Sequence, residues 1–167
     1  MGLKETVIEL NRNDMKFSVA HFTIFSETNR ERVHGHNFYL SVSCKTFIKA
    51  GGVSFDYREL RRFLLEKCHF LNERFLLAKN SPYLRIELLP EKESVRITFN
   101  KKEMILLEED ILLLPLENIS SESLSYWFLD NLLGEKEFLK KNDISMIEVK
   151  VSTTTGQSSS SKWVKNA

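Results

Sequence analysis

The stretch RERVHGHNFYLSVSCKTF, residues 30–47, places two histidines one residue apart at the start of an alternating segment. Apolar residues recur at every second position from Phe38 to Cys44, which is the period of a β-strand with one buried face. Successive side chains on a strand point to opposite faces, so His34 and His36 lie on the same side of the backbone. The stretch predicts a strand that presents two imidazoles together.

A third histidine ends an earlier alternating segment, MKFSVAHF, in phase with Phe17 and Val19. If the two segments pair as neighbouring strands, His21 supplies a third nitrogen beside His34 and His36. Three neutral imidazoles with an open fourth position form a catalytic-zinc arrangement, in which the metal polarises a substrate oxygen or acidifies water. An isolated HxH pattern also fits ordinary surface or core histidines. The zinc prediction therefore depends on three of the four histidines clustering at strand ends.

Two segments have the period of a helix. Apolar residues at positions 60, 63, 64, 68 and 71 form one stripe, and Asp56 precedes them as a plausible N-cap. The segment SSESLSYWFLDNLLG predicts a second helix, which begins at Ser120 or Ser121 and ends at Gly134.

The remaining segments predict strands. Short runs between residues 83 and 107 predict a small insert of antiparallel strands. The run ISMIEVKVS predicts a final strand, after which TTTGQSSSSKWVKNA loses its periodicity. The order of the elements predicts a single α+β domain over residues 1–167, with two helices on one face of an antiparallel sheet.

Composition excludes several classes of function. Lys and Arg number 24 against 23 Asp and Glu, without a basic stripe, so we expect neither nucleic acid nor a membrane surface as a partner. No apolar run approaches the roughly 20 residues that span a bilayer. Cys44 and Cys68 lack metal-motif spacing, and the N-terminal segment lacks the apolar part of a signal peptide. We expect a cytoplasmic globular protein.

The motifs FSVAH, ERVHGHNF, GGVSFDYREL and LPLENISSESLSYWFLDNLL occur in this order in the chain. Together they resemble the 6-pyruvoyl-tetrahydropterin synthase family, which includes the 6-carboxytetrahydropterin synthase of queuosine biosynthesis. The likeness runs from about Lys16 to Ser160. It implies a T-fold, in which an antiparallel sheet with two helices on one side assembles into a trimeric barrel, often as a hexamer. It also implies active sites between subunits.

The resemblance further implies that His21, His34 and His36 bind zinc and that the substrate is 7,8-dihydroneopterin triphosphate or a related pterin. In the family, zinc holds the hydroxyls of the substrate side chain while acid–base groups remove protons and triphosphate leaves. Ser120 and Ser121 match the place where relatives hold the pterin.

Three functional positions depart from the family pattern. The cysteine that stands four residues before the first HGH histidine is Arg30 here, which suits an anionic substrate group. The Asp-His pair after the first helix is replaced by Asn72 and Glu73 in LNERFLL. The glutamate that anchors the pterin is Thr153, whose neutral hydroxyl cannot form the charge-assisted bidentate pair.

Glu31 offers a replacement carboxylate in the pattern ExxHGHN. One branch of the family has a glutamate in place of the cysteine and cleaves the substrate side chain to 6-hydroxymethyl-dihydropterin. Glu31 is therefore a candidate base, as is Glu73; alternatively, Glu31 supports a zinc histidine or pairs with Arg32. The expected function is a zinc-dependent lyase-type pterin synthase. The alternatives are a non-catalytic zinc-binding homologue and an enzyme with a changed, non-pterin substrate.

Overall fold

The computed structural model describes residues 4–154 and 156–165. Ten strands and three α-helices lie within these ranges. They are β1 (Lys4–Leu10), β2 (Lys16–His21), β3 (His34–Ile48), α1 (Tyr57–Leu71), β4 (Arg74–Ala78), β5 (Arg85–Leu89), β6 (Ser94–Phe99), β7 (Lys102–Leu107), β8 (Ile111–Leu114), α2 (Ser121–Gly134), α3 (Lys136–Lys141), β9 (Met146–Thr154) and β10 (Gln157–Val164). No helix of the described residues is long and apolar enough to cross a membrane.

The main sheet has seven strands in the order β10-β9-β3-β2-β4-β8, and β1 pairs with the second half of β3. Strands β1, β2, β3, β9 and β10 pair antiparallel. The sequence predicts β2, β3 and β9 among these, but not β1 or β10. Strands β4 and β8 instead pair parallel with their neighbours, so the sheet is mixed. These two strands were not predicted, because short apolar runs buried on both faces carry no alternation that distinguishes a strand from other buried segments.

Helices α1 and α2 pack against one face of this sheet around a common apolar core. Leu64 of α1 and Phe128 of α2 are fully buried in that core. The predicted N-caps are present: the Asp56 carboxylate accepts from the Arg58 backbone N–H, and the Ser120 hydroxyl accepts from the backbone of α2. The predicted helix end at Gly134 is followed at once by the short helix α3.

Strands β5, β6 and β7 form a separate three-stranded antiparallel sheet at the place of the predicted insert. Phe75 and Leu77 of β4 pack against Val95 and Ile97 of β6. Their neighbours in β4 belong to the core beneath the helices. Because side chains alternate along a strand, the small sheet covers the face of β4 opposite to the helices.

The segment expected to lose its periodicity contains the end of β9 and the whole of β10, so that prediction is wrong for residues 153–154 and 157–164. The strand was missed because serines occupy its inward positions. The Ser159 hydroxyl lies 2.7 Å from that of Ser121, and the Ser161 hydroxyl lies 2.8 Å from that of Ser125. Hydrogen bonds to α2 thus replace the apolar contacts that a strand pattern normally shows.

Candidate metal centre

The pairing of β2 with β3 creates a cluster of three histidines at one end of the sheet. His21 lies directly opposite His34, and Val19 lies opposite His36. The ring centroids of the three imidazoles are 4.6 to 5.4 Å apart. One potential ligand nitrogen from each residue lies within 4.8 Å of the other two. The strand register therefore brings together the three residues that the HxH pattern and the FSVAH motif singled out.

His21 is the buried member of the cluster, with 3% of its surface exposed. Its Nδ1 lies 3.0 Å from the carbonyl oxygen of Ile119, which can only accept, so Nδ1 carries the proton. Nε2 then presents a lone pair, yet it is buried without a hydrogen-bond partner. Burial lowers the pKa of His21 to about 4, so the ring is neutral at physiological pH. A neutral imidazole with an unsatisfied buried nitrogen fits a metal ligand.

The other two histidines complete a set that suits zinc. Nδ1 of His34 lies 2.7 Å from the carbonyl oxygen of Arg32, so its Nε2 is free to coordinate. Burial, followed by the neighbouring His34, lowers the pKa of His36, which also favours the neutral ring. Backbone carbonyls that fix the tautomer and the ring orientation are a regular feature of zinc sites. The donor set therefore fits a three-histidine zinc site with an open position.

Glu31 lies beside the cluster. Its Oε2 accepts a 2.9 Å hydrogen bond from the Thr23 backbone N–H and lies 4.0 Å from Nε2 of His34. Burial raises the pKa of the carboxyl, but the hydrogen bonds from Thr23 outweigh this effect, and the pKa is lower than usual. Glu31 is consequently a carboxylate at neutral pH, positioned to accept a proton from a group bound near His34.

Glu73, the other predicted base, lies in the turn between α1 and β4 with a left-handed backbone, φ 58°. Its backbone N–H donates to the Ser18 carbonyl oxygen at 2.7 Å, which holds the turn against β2. Its neighbour Asn72 accepts from the Ser18 N–H through Oδ1 at 2.8 Å. Glu73 and His36 line the same open cavity of about 550 Å³.

Arg30 makes its contacts outside the histidine cluster. Its guanidinium lies over the ring of Phe22, 4.6 Å from the centroid, and 5.6 Å from the centroid of Phe99. One of its nitrogens donates to the backbone carbonyl of Glu31 at 2.7 Å. The stacked guanidinium is thus held next to Glu31 on the side of the small sheet.

The predicted pterin-binding residues have other partners or positions. The Ser120 hydroxyl caps α2, and the Ser121 hydroxyl is bonded to Ser159. Thr153 is half-buried near the end of β9, at an irregularity in the pairing with β10. The structure brings Glu31 to the three histidines, whereas these three residues lie around the start of α2 and the end of β9.

Sequence reasoning missed the residues that orient the cluster. The Asn118 side chain accepts from the Ile24 and Ile119 backbone N–H groups, both at 3.0 Å, and donates to the Ile24 carbonyl at 2.7 Å. This clamp fixes the loop whose Ile119 carbonyl holds His21. Backbone partners leave no signal in a sequence, although an asparagine just before a helix N-cap is a frequent loop-fixing residue.

Comparisons with known proteins identify the family of this chain. The chain matches the family model described as 6-pyruvoyl tetrahydropterin synthase over residues 9–162. It therefore belongs to that family. A relative from Methanocaldococcus jannaschii, provisionally named a 6-carboxy-5,6,7,8-tetrahydropterin synthase, is 27% identical over 155 residues, which cover 90% of this chain and 93% of the relative. Family membership supports a pterin synthase-type function and a small-molecule substrate.

Solved structures of the family share the fold. The 6-pyruvoyl tetrahydropterin synthase of Plasmodium falciparum superimposes with a TM-score of 0.90 at 24% identity, covering 96% of this chain and 98% of that one. The Plasmodium vivax enzyme, solved as a variant in which a glutamate described as a catalytic residue is replaced by alanine, gives the same TM-score and identity, covering 96% and 99%. The expected α+β T-fold is thereby confirmed.

Proposed function

We propose that the protein is a zinc-dependent, lyase-type pterin synthase that acts on 7,8-dihydroneopterin triphosphate or a related pterin. The observation that carries this proposal is the cluster of His21, His34 and His36, in which a buried Nε2 has no partner. An unsatisfied buried nitrogen costs free energy, and a metal ion in the cluster removes that cost. Bound zinc supplies a Lewis acid that makes the hydroxyls of the substrate side chain more acidic.

Glu31 is the proposed base. Its carboxylate accepts a proton from the substrate side chain, and the Thr23 N–H keeps the acceptor oxygen 4.0 Å from Nε2 of His34. The Plasmodium vivax relative, in which a glutamate is described as a catalytic residue, supports a carboxylate in this role. Arg30 occupies the position of the family cysteine, so the base in this chain must be another group.

Glu73 is the proposed second acid–base group. It replaces part of the Asp-His pair of the family, and it shares with His36 the open cavity beside the cluster. The left-handed backbone at φ 58° is an uncommon conformation for glutamate, and such conformations concentrate at functional sites. A hydrogen bond to the Ser18 carbonyl oxygen holds the turn in place.

The proposed assembly is a homotrimer or a homohexamer with active sites between subunits. Strands β10 and β8 lie at the two ends of the main sheet as the described residues pair it, so each presents an edge to a neighbouring subunit. Sedimentation equilibrium tests this assembly directly: a mass of three or six chains is expected, and a monomer at micromolar concentration would contradict it.

The decisive experiment is a single-substrate turnover assay. Zinc-loaded protein is incubated with 7,8-dihydroneopterin triphosphate, the products are separated, and their masses are measured by mass spectrometry. The variant His34→Ala is expected to lose both zinc and product. The variant Glu31→Gln is expected to keep zinc and the Thr23 hydrogen bond, since the amide oxygen still accepts, but to lose about 10²- to 10⁴-fold in turnover. Glu27→Gln, an exposed glutamate of the same loop, is the matched control.

Each outcome assigns a role. Turnover retained by Glu31→Gln would remove this residue from the chemistry and leave it as a partner of His34. The mass of the product identifies the reaction, because loss of triphosphate and cleavage of the side chain give products of different mass. A zinc-loaded protein that forms no product from this substrate or from related pterins would refute the proposal.

A changed substrate is the second candidate function, and Thr153 is the observation that favours it. A threonine at the pterin-anchoring position cannot replace the bidentate carboxylate, so pterin affinity is expected to fall by about 10-fold or more. Thermal shift with neopterin and biopterin tests this candidate. A clear rise in Tm with either compound would favour the pterin synthase instead.

A further inference from the structure

A second cavity of about 300 Å³ is lined in part by Glu31. Its walls come from the loop of residues 28–33, which leads into β3, and from the hairpin between β6 and β7. Glu31 lines this cavity while its Oε2 lies 4.0 Å from Nε2 of His34. Glu31 therefore lies beside both the cavity and the histidine cluster.

Three cationic side chains line this cavity: Arg30, Arg32 and Lys102. Among the described residues, none of the three forms an ion pair with a carboxylate. Arg30 is half-buried, and its guanidinium lies over the ring of Phe22, 4.6 Å from the centroid. The whole chain has a net charge of only +1, so this local excess of positive charge is not part of a generally basic surface.

The hairpin between β6 and β7 brings Lys102 to the wall of the cavity. Asn100 and Lys101 both have left-handed backbones, with φ of 44° and 63°, as a tight two-residue hairpin turn requires. Phe99 and Lys102 face each other across this turn, so their side chains leave the same face of the small sheet. Phe99 contacts the Arg30 guanidinium on that face. Lys101, one residue away, lies outside the cavity wall.

We propose that this cavity binds the polyphosphate group of the substrate, with Lys102 of the insert as a specificity-determining contact. The inference rests on the proposed function, since it names the part of the substrate that lies beside the proposed zinc-binding cluster. Guanidinium and ammonium groups without carboxylate partners match the multiple negative charges of a polyphosphate, and the fork of an arginine binds two of its oxygens at once. In this arrangement the substrate side chain lies between the histidines and the cavity, with Glu31 at the junction.

The first test is binding, which needs no turnover. Chelator-treated protein is titrated with inorganic tripolyphosphate by calorimetry in 150 mM salt, so that the ligand has no zinc to bind and long-range charge effects are screened. Lys102→Glu is expected to weaken binding roughly 10-fold or more, as loss of a charge-assisted contact predicts. Lys101→Glu makes the same charge change at the neighbouring, exposed position and is expected to weaken binding less than about 3-fold.

The second test uses the zinc-loaded enzyme with 7,8-dihydroneopterin triphosphate. Lys102→Glu is expected to lower kcat/KM, whereas Lys101→Glu leaves it nearly unchanged, because the polyphosphate is bound in the ground state and carries the charge that develops when triphosphate leaves. Equal binding of tripolyphosphate by the two variants, or no saturable binding by the wild type, overturns the subsite. Saturable binding that depends on Lys102 supports the subsite even if pterin turnover fails. Turnover with a kcat/KM that Lys102→Glu leaves unchanged overturns the subsite but leaves the proposed function intact.

Discussion

Lowering the pH from 7 to 5 is expected to destabilise the metal-free protein by about 2 kcal/mol through His21 alone. The ordinary pKa of 6.5 applies to the unfolded chain, whereas burial lowers the pKa to about 4 in the folded protein. Between these two values the unfolded chain binds more protons than the folded one, so stability falls as the pH falls. At about 1.4 kcal/mol per pH unit, the complete loss approaches about 3.5 kcal/mol below pH 4.

Urea unfolding of chelator-treated protein, followed by circular dichroism at pH 7, 6 and 5 and at one protein concentration, measures this loss. The matched variant is His21→Asn, whose amide group can still donate to the Ile119 carbonyl but does not titrate. The variant is expected to be less stable at pH 7 and to lose about 2 kcal/mol less than the wild type between pH 7 and 5. Parallel pH profiles for the two proteins would refute the conclusion that burial keeps His21 neutral.

Three further predictions concern the support of the site and the core. Asn118→Ala removes the clamp that places the Ile119 carbonyl, so zinc affinity, measured by competition with a chelating dye, is expected to fall about 10- to 100-fold while the fold is retained. Leu64→Ala empties a fully buried position under the helices and is expected to cost about 2–5 kcal/mol in urea unfolding, without altering zinc stoichiometry. Gly35→Ala is expected to keep both fold and zinc, because an added Cβ meets its nearest atom, the Val19 carbonyl oxygen, at an ordinary 3.7 Å; loss of zinc in this variant would show that Gly35 is needed for more than space.

The histidine cluster was predictable because it depends on strand periodicity. Alternation places His34 and His36 on one face, and the same alternation puts His21 in phase with buried Phe17 and Val19. Only the pairing of the two strands remained to be assumed, and the structure pairs them with His21 opposite His34. Local rules also identified the caps of both long helices, since the cap residues lie within three positions of their partners.

Other features could not be predicted from sequence periodicity. Strand β10 was missed because its inward-facing residues are serines instead of apolar residues. Their hydroxyls form hydrogen bonds with serine hydroxyls of α2, and these contacts exist only once the helix and the strand pack together. The parallel strands β4 and β8 were missed because burial on both faces removes the alternation that identifies a strand. Strand β1 alternates in the sequence, yet its pairing with β3 is a long-range contact that alternation does not specify.

The amino-acid sequence by itself determined the identity of the three proposed metal ligands, because residue type and a period of two are local properties of a chain. The tertiary structure alone decided which nitrogen of His21 and of His34 can coordinate. Backbone carbonyls of Ile119 and Arg32 select the tautomers of His21 and His34, and those carbonyls reach the rings only through the folded loops. It also decided that Glu31 lies beside both the histidines and the cationic cavity, because the hairpin that supplies Lys102 comes from a distant part of the chain.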